Sequence, residues 1–102
     1  MIWRTETMWL STLNFNIAEA NTFIKVKKKL DPKLYSKIKE VVYPQLKNNP
    51  FFGSNIKKLK GELEGYYRYR IGNYRLFYLI ENEKVLVVII DLKSRQSAYN
   101  KK

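Results

Sequence analysis

The sequence predicts an α+β fold: an N-terminal strand, a helical hairpin, then a three-stranded antiparallel meander, with the helices packed on one face of the sheet. Two observations carry this. Apolar residues between Glu19 and Leu46 recur at helical spacing, and from Gly65 onward they alternate as in strands. Because the second half is all strand signal, the apolar stripe of the helices has only a sheet to cover.

Leu10, Leu13 and Phe15 stand among polar residues and predict a first strand over 10–15. Phe23, Val26 and Leu30 form one stripe of a helix over 19–30, with Lys25, Lys27, Lys28 and Lys29 elsewhere. Asp31-Pro32 reads as an N-cap followed by proline at the first helical position, where its missing N–H costs nothing. The second helix carries Leu34, Ile38, Val41, Val42 and Leu46 and should stop at Asn48-Asn49-Pro50. Residues 51–64 read as a loop holding Lys57, Lys58 and Lys60. Strands are expected over 65–71, 74–80 and 84–92, joined at Gly72-Asn73 and at Asn82-Glu83. Val85 to Ile90 is apolar on both faces, which places it inside the sheet.

At 102 residues the chain is expected to be one domain, 1–102, with 1–9 a candidate extension and Met8 a second start that would leave 1–7 outside a shorter chain. It is 45% hydrophobic and 15% aromatic, enough to fold. Cysteine and histidine are both absent, which excludes disulfides, thiolate chemistry, Ser-His arrangements and the usual zinc ligands. No apolar run approaches a membrane span and the N-terminus lacks a signal-peptide layout, so a cytoplasmic location is expected. Twenty Lys and Arg against nine Asp and Glu give a net charge of +11. Nucleic acid, an anionic membrane surface or an acidic protein would each suit that charge.

A two-residue turn at Gly72-Asn73 pairs Ile71 with Tyr74, Arg70 with Arg75, Tyr69 with Leu76 and Arg68 with Phe77. One face of the hairpin then shows Arg68, Arg70, Arg75 and Phe77, while the other shows Tyr67, Tyr69, Ile71, Tyr74, Leu76 and Tyr78. Like charges directly opposite each other are destabilising, a cost expected where an anion is the intended occupant. The plainer reading is a solvated arginine face, or pairs with Glu62, Glu64 or Asp91. The tail adds Lys93, Arg95, Tyr99, Lys101 and Lys102. Arginine can stabilise phosphate charge but stays protonated and is a poor base. Residue types and spacing thus support an RNA-backbone binder without establishing an enzyme.

Leu59-Lys60-Gly61 with the run Tyr66 to Tyr78, the helix pair around Leu30-Asp31-Pro32, and the ending Leu92 to Lys101 together resemble the RelE/ParE toxin superfamily, archaeal RelE members in particular. The resemblance implies the toxin of a type II toxin–antitoxin system, a metal-independent endoribonuclease that cuts mRNA in the ribosomal A site through 2′-hydroxyl attack, with no cofactor. By position, Arg68 and Arg70 fall where the family has basic residues near the scissile phosphate, one of them the proposed base and often a lysine. Arg75 matches the arginine that stabilises the transition state, Arg95 the one that aids the leaving group, and Tyr99 the aromatic that stacks on the base. Lys57, Lys58, Lys60, Phe77, Lys93 and Lys101 are candidate RNA contacts. The implied partners are the ribosome, mRNA and an acidic, partly disordered antitoxin. A ParE-like gyrase inhibitor and a non-catalytic RNA- or ribosome-binding protein of the same fold are the competing readings.

Overall fold

The computed structural model describes residues 14–94. Five strands, β1 (Asn16–Glu19), β2 (Ile56–Lys58), β3 (Tyr67–Ile71), β4 (Tyr74–Glu81) and β5 (Leu86–Ser94), form one sheet in the order β1-β5-β4-β3-β2. β1 runs parallel to β5, and every other neighbour is antiparallel. Helical segments α1 (Asn21–Lys27), α2 (Pro32–Lys37) and α3 (Tyr43–Asn48), with a π-turn (Ile38–Val42) between the last two, supply Phe23, Ile38, Val42, Tyr43 and Leu46 to the core. The sheet supplies Tyr69, Ile71, Leu76, Tyr78, Val87, Ile89 and Leu92. The predicted α+β architecture holds, with five strands where four were expected: β2 is new and β1 is displaced.

The strand expected over 10–15 falls mostly outside the described residues, and the described β1 begins at Asn16. Glu19, expected to open a helix, instead ends β1, because Ala20 N–H donates to the Ile89 carbonyl at 2.9 Å and holds the chain to β5. β2 lies inside the segment expected to be a loop. Ile56 is its one apolar residue, and exposed lysines on a three-residue edge strand discourage further pairing.

The second helix runs unbroken from Pro32 to Asn48, but Ile38–Val42 is a π-turn between α2 and α3. Pro44 explains it. Its ring has no N–H to donate and would clash with the Glu40 carbonyl in a regular helix, and widening one turn relieves both. The extra residue shifts the helical phase. Ile38, Val42 and Leu46 are buried while Val41, expected on the stripe, is 42% exposed. At the start of this rod, Asp31 Oδ1 accepts from Lys33 N–H at 2.9 Å, the expected N-cap.

β5 is interior, as its apolar run predicts. Its start moves from residue 84 to Leu86, because Asn82–Lys84 forms a 3-10 turn closed by Val85 in the left-handed region at φ 51°. Opposite Phe77 and Tyr78, β5 bulges: Tyr78 pairs with Ile89 and Phe77 with Asp91, leaving Ile90 extra.

Candidate nucleic-acid interface

The hairpin register is the predicted one in every pair. Gly72 takes φ 59°, the left-handed value that the tight turn demands, and Arg70 lies opposite Arg75, Arg68 opposite Phe77. The neighbouring strands extend these pairs into rows. Lys93 on β5 lies opposite Arg75, giving Arg70–Arg75–Lys93 across three strands. The adjacent row is Lys57–Arg68–Phe77–Asp91 across four. Five cations therefore share the sheet face opposite the helices.

Asn55 anchors the outer edge of this face. Its carbonyl accepts the Arg70 N–H at 2.9 Å and the Arg68 Nη1 at 3.2 Å, which fixes the guanidinium along β3. Asp91 is the carboxylate within these two rows, and its Oδ1 accepts the Leu92 N–H at 2.8 Å. Arg70 is exposed, and a crevice of about 20 Å³ under the turn is lined by both Arg70 and Arg75.

The remaining candidates divide. Lys58 lies opposite Tyr67, so it belongs to the other side of the sheet. Lys60 is exposed in the connection after β2, outside the ladder. Arg95, Tyr99 and Lys101 lie outside the described residues. Sequence reasoning placed Lys57 in a loop and missed the strand that sets it beside Arg68. It also missed Asn55 and the on-face position of Asp91. The signal for Asp91 is unavailable from alternation alone, because the bulge moves it there.

A larger concavity lies elsewhere. A groove of about 880 Å³ between β1 and the helical rod is lined by Glu19, Tyr35, Lys39, Tyr43 and Lys47 among others. Glu19 Oε1 accepts from Lys27 Nζ at 2.7 Å, and Oε2 accepts from the Tyr35 and Tyr43 hydroxyls, each at 2.8 Å. Burial pushes the Glu19 carboxyl up, but hydrogen bonds from Lys27, Tyr43 and Tyr35 outweigh it and hold the group below its ordinary value. The hydrogen bond to Glu19 in turn lifts Lys27 above the usual lysine value. Burial and then the bond to Glu19 push Tyr43 far up. A carboxylate with its oxygens committed to three donors is a structural knot, and it places a negative charge in this groove that the cationic rows do not have beside Arg70 and Arg75. We therefore place the candidate site on the cationic sheet face and not in this larger groove.

Among the described residues no group of three or more His, Cys, Asp or Glu is placed to hold a metal ion. No described helix is long and apolar enough to cross a membrane.

Comparison with known proteins places the chain in a family. The family described as ParE toxin of type II toxin-antitoxin system matches residues 15–99. The Methanocaldococcus jannaschii protein named RelE1 is 34% identical over 89 residues, covering 85% of this chain and 97% of that protein. The Mycobacterium tuberculosis toxin RelG is 33% identical over 73 residues, 72% of this chain and 82% of the relative. In the crystal structure of the toxin–antitoxin complex RelBE2 from Mycobacterium tuberculosis, a chain superposes with a TM-score of 0.73 at 28% identity, covering 82% of this chain and 94% of that one. The present chain belongs to the RelE/ParE family of type II toxin–antitoxin toxins.

Proposed function

We propose that this toxin is a ribosome-dependent endoribonuclease that cuts mRNA in the A site, and that the Arg70–Arg75–Lys93 row receives the scissile phosphate. The observation that carries the reading is the ladder register, which sets three cations side by side on an open sheet face. Arginine forks match phosphate oxygens bidentately, and fixed donors aimed at developing charge are among the strongest catalytic devices.

The reaction balances within the RNA itself. The 2′-oxygen attacks phosphorus, the bond to the 5′-oxygen breaks, and the proton lost from the 2′-hydroxyl is matched by one gained on the leaving oxygen. The products are a 2′,3′-cyclic phosphate and a 5′-hydroxyl. Arg75, central in the row, stabilises the pentacoordinate phosphorus, while Arg68 and Arg70 hold the backbone in line for attack. Arginines that stay protonated give charge and position and cannot take the 2′-proton. Arg95 and Tyr99 are assigned to the leaving group and to base stacking by resemblance. Lys57 and Phe77 are assigned to flanking contacts by their row, and Lys58, Lys60 and Lys101 to the outer RNA path.

The partner in the resting state is a cognate antitoxin, supported by the antitoxin-bound state of the RelBE2 relative. A net charge of +11 favours an acidic one. The ParE description of the matching family favours one alternative, inhibition of gyrase on the same scaffold.

Mapping mRNA 5′ ends by primer extension after adding the protein to translating ribosomes tests the proposal. New cuts within A-site codons are expected, absent without ribosomes, and about 100-fold slower with Arg75→Ala. Continued translation with no cuts would sink the endoribonuclease reading, and loss of gyrase supercoiling in a parallel assay would install the alternative.

A further inference from the structure

A second groove, of about 370 Å³, opens between the helical rod and the end of the hairpin. Lys37 and Val41 line it from the helical side, Asn55 and Arg70 from the sheet edge, with Tyr69 and Gly72 between. Among the described residues no carboxylate lines it, unlike the groove at β1, which contains Glu19. Its volume sits at the low end for small-molecule sites, the size of a single nucleotide and no more.

The π-turn creates this groove's apolar wall. By shifting the helical phase it turns Val41 outward, 42% exposed, one helical turn beyond exposed Lys37. On the opposite wall, the Tyr69 hydroxyl is committed to Gln45 Oε1 at 2.8 Å, so its ring borders the groove with no free hydroxyl. The Asn55 carbonyl is likewise occupied by β3, which leaves its side-chain carboxamide, a donor and an acceptor, for a base edge. Arg70 lines both this groove and the crevice shared with Arg75, so the two sites are continuous.

We infer that this groove holds the nucleotide next to the scissile one, with its phosphate between Lys37 and Arg70, its base against Val41, and the Asn55 carboxamide at the base edge. Unstacked bases of single-stranded RNA are read in this way, by apolar contact and by hydrogen bonds to their edges. The inference rests on the endoribonuclease reading and adds three positioning residues to it: Lys37, Val41 and Asn55.

The test pairs a protein change with an RNA change. Lys37→Ala, an exposed substitution that leaves the core intact, is combined with mRNAs carrying one neutral methylphosphonate on the 5′ or the 3′ side of the cut. Cleavage on ribosomes is followed by primer extension. Lys37→Ala is expected to slow cutting about tenfold, as the loss of one charged hydrogen bond would. At one of the two positions the methylphosphonate should slow the wild type similarly and add nothing further in the variant, since the two changes remove the same contact. That position then gives the direction of the RNA. Effects that multiply at both positions would show Lys37 acting elsewhere, for instance on ribosomal RNA, and would overturn the inference alone. An unchanged rate with Lys37→Ala would overturn it too. No cleavage by the wild type on any message would remove the endoribonuclease reading and this one together.

Discussion

The two faces of the same sheet follow opposite rules. On the helix side, Tyr69, Tyr78 and the neighbouring Tyr43 each place a hydroxyl on a named acceptor: Gln45 Oε1, the Pro50 carbonyl and Glu19 Oε2. No buried side-chain nitrogen or oxygen among the described residues lacks a hydrogen-bond partner. On the open side, Arg70 faces Arg75 and Arg75 faces Lys93, an arrangement that weakens the ladder by like-charge repulsion. Strands that avoid opposed like charges on one face could have avoided them on the other. The difference marks the open face as the one shaped by something other than stability.

Changes to the two faces should separate these demands. The largest expected effect on stability is on the helix side. Leu76→Ala removes a fully buried side chain from the middle of β4 and should cost about 3 kcal/mol, read as a lowered midpoint in urea unfolding. A loss below about 1 kcal/mol would mean the site collapses freely and the core is looser than described.

Next comes the carboxylate under the rod. Glu19→Gln removes the charge that Lys27 meets at 2.7 Å and should cost about 1 to 2 kcal/mol at neutral pH. The pH dependence has a definite sign. A carboxyl held below its ordinary value of 4.5 stabilises the fold above that pH, and the stability is lost as pH falls through 4.5 toward the lower folded value. Melting temperatures of wild type and Glu19→Gln should therefore converge progressively as pH falls below 4.5. Parallel curves across that window would remove Glu19 from the account.

The smallest effect has the opposite sign. Arg70→Thr replaces one member of a like-charged pair with a good strand former. It should leave the fold unchanged or stabilise it by about 0.5 kcal/mol while A-site cleavage falls. Destabilisation beyond about 1 kcal/mol would show that the arginine row supports the fold, and the contrast between the faces would fail.

How far the sequence reveals this depends on the range of the interactions involved. The β3–β4 register was legible because a two-residue turn and a period of two leave one alignment, and Gly72-Asn73 supplies that turn. The site rows were half legible: Arg68, Arg70 and Arg75 follow from the hairpin, but Lys57 needed β2, whose three residues carry too little pattern to stand out. β1 was misplaced because its parallel partner is about 70 residues away in sequence. The outward turn of Val41, and the groove it borders, depend on a π-turn that helical spacing alone cannot anticipate, although Pro44 was the available signal.

The bulge in β5 makes the cationic rows depend on chain length. Were the same sequence paired with no bulge, continuing the Tyr78–Ile89 register would bring Ile90 opposite Phe77 and Leu92 opposite Arg75. Leu92 would then point into the open and Asp91 would turn toward the core, while Lys93 left the row altogether. Inserting one residue after Asp91 would likewise bring Leu92 opposite Arg75 and turn an anion-receiving surface greasy while sparing every arginine, whereas deleting Ile90 would close the bulge and leave the rows in place. Insertions and deletions here, more than substitutions, are the changes by which such a scaffold could be disarmed or redirected to another target.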